Sequence, residues 1–121
     1  MSDELKQEFD AARIKHLHFK SKLRSFLYGS NTAEAPIRDP QQCSFGHWIS
    51  GFLLPQYGHL PESRQLDNLH DKIHQEANRL MDMAQQGQRE EAIARLAEIN
   101  RLADQIALLL RTIEATVRSS T

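Results

Sequence analysis

Residues 3–28, DELKQEFDAARIKHLHFKSKLRSFLY, contain neither glycine nor proline. Within them Leu5, Phe9, Ala12, His16, Phe19, Leu23 and Phe26 recur at alternating steps of four and three, the spacing that lines one face of an α-helix. The stretch therefore predicts an amphipathic helix, and the rest of the chain repeats its rhythm. Residues 29–42 hold Gly29, Asn31, Pro36 and Pro40 among polar side chains and read as a loop. Cys43 to Leu53 is a short apolar and aromatic piece, closed by Pro55 and Gly58, and predicts a short helix. Pro61 suits the first turn of a second long helix carrying Leu66, Leu69, Ile73, Ala77, Leu80 and Ala84, which stops at Gln85-Gln86-Gly87. A third runs through Ile93, Leu96, Ile99, Leu102, Ile106, Leu109, Ile113 and Val117. No alternating strand pattern and no internal repeat is visible. The expected fold is all-α, a four-helix-bundle-like domain of three long helices and one short one spanning residues 1–121.

Composition narrows the function classes. A chain of 121 residues, 40% hydrophobic and 26% charged, builds one core and stays in water. Fifteen basic against sixteen acidic residues leave a net charge of -1, without the basic excess that nucleic-acid binding demands. No apolar run approaches the roughly 20 residues that cross a bilayer, so membrane insertion is not expected. Met1-Ser2-Asp3-Glu4 lacks the basic and apolar regions of a signal peptide, which predicts a cytoplasmic protein. The single cysteine, Cys43, has no internal disulfide partner, and six histidines in so short a chain direct attention to metal.

His70 and His74, four apart on a predicted helix, share a face and could grip one ion or simply be exposed polar residues. They border the Leu66, Leu69, Ile73, Ala77 stripe, where a buried imidazole needs a partner. His16 sits inside the apolar stripe of the first helix, where a plain core would carry leucine. It is either a metal ligand or a core histidine satisfied by a backbone carbonyl or a side chain. Cys43 opens the aromatic helix and is either a ligand or a small buried hydrophobe. Together the four offer one thiolate and three imidazoles, a set that suits borderline-soft Zn²⁺ in a closed tetrahedral site, although copper or iron accept such donors too. A filled tetrahedron leaves no place for an activated water, so an enzyme is not expected.

Around these donors, Phe45 and Trp48 share a helical face and would shield the ion, and Gly46 would let the short helix approach another backbone. His47 is the rival for a ligand position. His18 and His59 read as surface residues. Asp67 and Asp71 are candidates to orient a ligating imidazole, or solvated helix-face carboxylates.

The pattern His16-x-x-Phe19, Cys43-x-Phe45-Gly46-x-Trp48 and His70-x-x-x-His74 resembles the chemoreceptor zinc-binding (CZB) domain over nearly the whole chain. Phe19 stands where many members carry tryptophan. The resemblance implies that His16, Cys43, His70 and His74 hold zinc. It also implies a regulatory domain for chemotaxis or cyclic-di-GMP signalling that senses zinc or oxidants such as hypochlorous acid. Known members sit in bacterial chemoreceptors and diguanylate cyclases. Neither a receptor coiled coil nor a cyclase fits in 121 residues, so the output module would act in cis on a longer protein or in trans.

Two further expectations concern use. A sensor and a purely structural zinc-stapled bundle differ in whether the ion exchanges; a hydrolase or a di-iron carrier would need an open position or extra carboxylate ligands. On the last helix, Ala103, Ala107, Leu108 and Leu110 widen the apolar surface beyond one bundle face, which predicts a homodimer.

Overall fold

The computed structural model describes residues 2–119, without the side chains of Ser2 and Asp3. The domain expected over 1–121 thus includes Met1, Ser120 and Thr121, which lie outside the described residues. Those described are helical with no strand, as the periodicity predicts. In chain order the elements are α1 (Ser2–Leu27), α2 (Ala35–Arg38), a 3-10 turn (Pro40–Gln42), α3 (Ser44–Trp48), a π-helical turn (Ile49–Leu53), α4 (Leu54–Tyr57), α5 (Pro61–Gln85), α6 (Arg89–Ala94) and α7 (Leu96–Ser119). The long helix α7 packs against both α5 and α1, and the short elements α2 and α3 lie against α1 and α5.

The α1 stripe is the face that goes inward. Phe9, Ala12, His16, Phe19, Leu23 and Leu27 are buried, and exposed positions alternate with them at helical spacing. Both α1 and α5 end the same way. Gly29 and Gly87 take left-handed backbone angles of 96° and 88°, a region cheap for a residue without Cβ. Ser30 N then reaches back to Ser25 O at 2.9 Å and Gln88 N to Met83 O at 2.8 Å, satisfying carbonyls the helix end would leave bare.

Three local readings change. The segment expected as a loop contains α2 and a 3-10 turn, because Pro36 and Pro40 occupy first-turn positions where a missing N–H costs nothing. Pro55 does not close the helix begun at Ser44. The path widens into a π turn over Ile49–Leu53, with Leu54 N bonded to Ile49 O, and continues to Tyr57. A regular turn there would drive the Pro55 ring into the Gly51 carbonyl. Finally, the last helical stretch is broken at Arg95, whose N–H is shared between the carbonyls of Glu91 and Ala92 at 3.2 and 3.1 Å.

Part of the extra apolar surface foreseen on α7 is used within the chain. Ala103 and Leu110 are buried, while Leu108 on α7 and Ile14 and Leu17 on α1 stay more than half exposed. No helix among the described residues is long and apolar enough to cross a membrane.

Candidate metal centre

Cys43 is the residue at which the chain turns from extended backbone into α3. Its own angles are extended, its carbonyl accepts from His47 N at 2.9 Å, and its side chain takes no part in capping the helix. The thiol is therefore free for another partner, and it is 3% exposed. What brings it against α5 is Gly46. A Cβ at that position would stand 2.2 Å from the Pro40 carbonyl oxygen and 3.0 Å from Cε1 of His70. Only glycine lets α3 lie so close to the turn before it and to the His70 ring, the close approach the sequence led us to expect.

On α5, His70 and His74 are 3% and 1% exposed. One ligand atom from each, together with Cys43 Sγ, forms a group whose members all lie within 4.8 Å of one another. His74 Nδ1 is 2.6 Å from the carbonyl oxygen of Ile37 on α2. A carbonyl only accepts, so Nδ1 carries the ring's proton and Nε2 keeps its lone pair. That Nε2 faces the Nε2 of His70 at 3.0 Å. Two imidazole nitrogens sharing one zinc at tetrahedral angles would stand about 3.4 Å apart, so the pair is spaced for an ion with little adjustment.

Electrostatics agree with the donor chemistry. Burial pushes His70 down to about 3, helped by neighbouring His74 and His16. Burial also lowers His74, against the Ile37 carbonyl and the carboxylates of Asp71 and Asp39, which favour its charged form. Both rings are thus neutral at ordinary pH, the form that binds metal. Aromatic rings wall the group. Phe19 lies 4.6 Å from His74 between centroids, and Phe45 lies 5.5 Å from His70. Trp48, edge-on to Phe9 at 5.4 Å, donates its Nε1–H to Glu8 Oε1 at 3.0 Å and ties α3 to α1. One buried sulfur and two buried neutral imidazoles behind an apolar wall fit a borderline-soft ion such as zinc.

His16 is placed differently. It is 5% exposed on α1 and packs on the other neighbour of the group, Phe45, at 5.1 Å. Its Nε2 lies 3.3 Å from the Ala103 carbonyl oxygen of α7, so Nε2 donates there and Nδ1 carries the lone pair. Burial lowers this ring to about 4. The structure thus brings Cys43, His70 and His74 into one cluster and seats His16 beside them, bonded to α7.

The remaining histidines fall away from the site. His47 is exposed and its Nε2 contacts the Gln41 carbonyl; His18 and His59 are exposed. The orienting role considered for Asp67 and Asp71 belongs instead to backbone carbonyls, those of Ile37 for His74 and Ala103 for His16. Asp67 is half-buried and Asp71 exposed. Burial, then the charge of Asp71, raises the Asp67 carboxyl. No sequence signal marks which carbonyl will accept from a ring, because every residue has one.

A family model described as the chemoreceptor zinc-binding domain matches residues 16–81, a span that opens on His16 and contains Cys43, His70 and His74. No curated protein and no solved structure matches the chain significantly.

Proposed function

Because the chain belongs to the chemoreceptor zinc-binding family, we propose that it is a non-enzymatic, cytoplasmic sensory domain that reports zinc availability or oxidant to a signalling output. The observation that carries this reading is the convergence of Cys43, His70 and His74 within 4.8 Å in a buried, aromatic-walled site. Cys43 is the one donor among them whose chemistry changes with redox state. His16, whose Nδ1 lone pair is left over by its bond to Ala103, is the fourth ligand in this reading.

When bound, zinc holds the Cys43 sulfur as a thiolate, the form that two-electron oxidants attack. The Cys43 thiolate and hypochlorous acid then give a sulfenic acid and chloride, with sulfur oxidised and chlorine reduced. The oxidised Cys43 is a poorer ligand, while His70 and His74 stay fixed on α5. The parts left to move are α1, which offers the site His16 as a donor and packs Phe19 on His74, and the segment carrying α2. Binding of structural zinc is worth on the order of 10 kcal/mol, comparable with a domain's whole stability. Losing one ligand therefore shifts local structure. The proposed output is chemotaxis or cyclic-di-GMP signalling, reached in cis or in trans, with the domain acting as a homodimer that covers exposed apolar side chains such as Ile14 and Leu17 on α1 and Leu108 on α7.

The test is metal analysis of protein purified without added metal, beside Cys43→Ala and His74→Ala. The expected result is one zinc per chain, lost in both variants, and full metal content in both would overturn the reading. Treating the loaded wild type with hypochlorous acid should free the metal. If zinc stays bound while Cys43 is oxidised, the oxidant branch fails. Cobalt substitution of His16→Ala should alter the tetrahedral visible spectrum, and sedimentation should show a dimer at micromolar concentration.

A further inference from the structure

We propose that Arg38 and Asn78 are positioning residues for the metal centre: they fasten the backbone of α2 to α5 in the register that sets the Ile37 carbonyl against His74. In doing so they decide which ring nitrogen His74 offers to an ion. The inference rests on the zinc reading above.

The α5 residues His74, Asn78, Asp82 and Gln85 follow one another at steps of four, four and three, so they form a single stripe along the helix. Every one of them engages α2. His74 Nδ1 donates to the carbonyl of Ile37 at 2.6 Å, and Asn78 Nδ2 donates to the next carbonyl, that of Arg38, at 2.8 Å. The Arg38 guanidinium continues the seam. Its Nη1 donates to Asn78 Oδ1 at 3.1 Å and Asp82 Oδ1 at 2.9 Å, and its Nη2 to Gln85 Oε1 at 3.1 Å. Its Nε folds back to Glu34 Oε1 at 2.8 Å. The planar fork thus holds four acceptors in fixed directions, which gives geometric register more than raw stability.

Such a seam is needed because α2 cannot hold its own shape. It is four residues long and begins at Glu34 without a side-chain cap, far below the length at which a helix is stable alone. Besides the seam, its anchor in the core is the buried Ile37 side chain, and an apolar contact does not fix the direction of a carbonyl. Two consecutive carbonyls, those of Ile37 and Arg38, are instead gripped by two α5 side chains one turn apart. If α2 slides or rotates, both are lost together. His74 would then have a buried Nδ1–H without an acceptor, and the proton would move to Nε2 by exchange of tautomer. A proton on Nε2 occupies the lone pair that faces His70, the one an ion needs. A partly solvated arginine therefore sets the state of a buried ligand it never touches.

The experiment measures the zinc dissociation constant by competition with a chelator, and the His74 tautomer by imidazole ¹⁵N NMR on metal-free protein. It compares wild type with Asn78→Ala, Arg38→Ala and Arg38→Lys, and with Ile113→Val in the α7 core as a stability control. Loss of a group that orients a ligand costs about 10- to 100-fold in metal affinity. That loss is expected for Asn78→Ala and Arg38→Ala, with one zinc still taken at saturation and His74 shifting toward a mixture of tautomers. Arg38→Lys, which keeps the charge near Asp82 but cannot span the fork, should fall between. Ile113→Val should lower Tm by a few degrees, on the order of 2 to 8 °C, and leave affinity and tautomer alone. Unchanged affinity and an unchanged tautomer in both alanine variants would overturn the proposal. If wild type takes no zinc, the metal reading fails instead, and the tautomer measurement still decides whether the seam orients His74.

Discussion

The ring of His74 is fixed from both ends: Nδ1 lies 2.6 Å from the Ile37 carbonyl oxygen and Nε2 lies 3.0 Å from the facing ring nitrogen of His70. A ring held in this way has its donor atom aimed before any ion arrives, so binding does not have to order it. Four outcomes follow from the surrounding arrangement.

Acid should weaken the metal-free fold. The rings of His16 and His70 are pushed down to about 4 and about 3 by burial, and His74 is lowered as well, all from an ordinary value of 6.5. Below that ordinary value the unfolded chain binds protons that the folded chain refuses. Stability is therefore level above pH 6.5 and falls as pH drops toward the folded values, by about 1.4 kcal/mol per pH unit for each titrating histidine. Urea unfolding of chelator-treated protein between about pH 7.5 and 5 measures this. A flat profile would contradict it.

Gly46→Ala should damage fold and site together. The added methyl meets backbone at Pro40, which cannot swing aside, and the His70 ring. The expected cost is about 1–3 kcal/mol of stability, with zinc bound more weakly because α3 carries Cys43 away from α5. Thermal unfolding and chelator competition read the two effects. An unaffected affinity would mean that Cys43 is not held by this approach.

Arg13→Ala should destabilise the fold without emptying the metal site. Arg13 bridges Asp10 on its own helix and the largely buried Glu114 on α7. Removing Arg13 takes away the contact between α1 and Glu114 and leaves Arg118, 3.4 Å away on the same helix, as the cation still paired with that carboxylate, at a cost of about 1 kcal/mol. The unfolding free energy from denaturant titration should fall by that amount, while metal analysis finds one zinc per chain.

Chelation should register at Trp48. This is the chain's single tryptophan, 6% exposed, on the same short helix that Cys43 opens, and pinned to Glu8 of α1. Stripping the metal should loosen α3 against α1 and shift its fluorescence to the red as water reaches the indole. Re-adding zinc should reverse the shift, and Cys43→Ala should show it already without chelator.

The long helices and the donors were legible because their signals are periodic or chemically rare. The spacing of Phe9, Ala12, His16, Phe19 and Leu23 admits one helical face, and those residues are the ones buried. A lone cysteine beside a glycine and two aromatics, and two histidines one turn apart, stand out from ordinary core. What stayed hidden lacks such a signature. The single turn of α2 is too short to show a period, and its contribution is a backbone carbonyl at Ile37 that no residue type announces. The π turn answers the local clash of the Pro55 ring with the Gly51 carbonyl, and a proline at that place reads equally as the end of a helix or as a bulge that lets the helix continue. The bond of His16 to Ala103 depends on how α1 and α7 meet, a distance of 87 positions along the chain.

Cys43 begins α3 with its backbone and keeps its sulfur out of the cap. Attack on the sulfur therefore removes none of the hydrogen bonds that start the helix. In the proposed reading, chemistry at that sulfur acts on how the short elements pack against α1 and α5, and leaves the first turn of α3 formed.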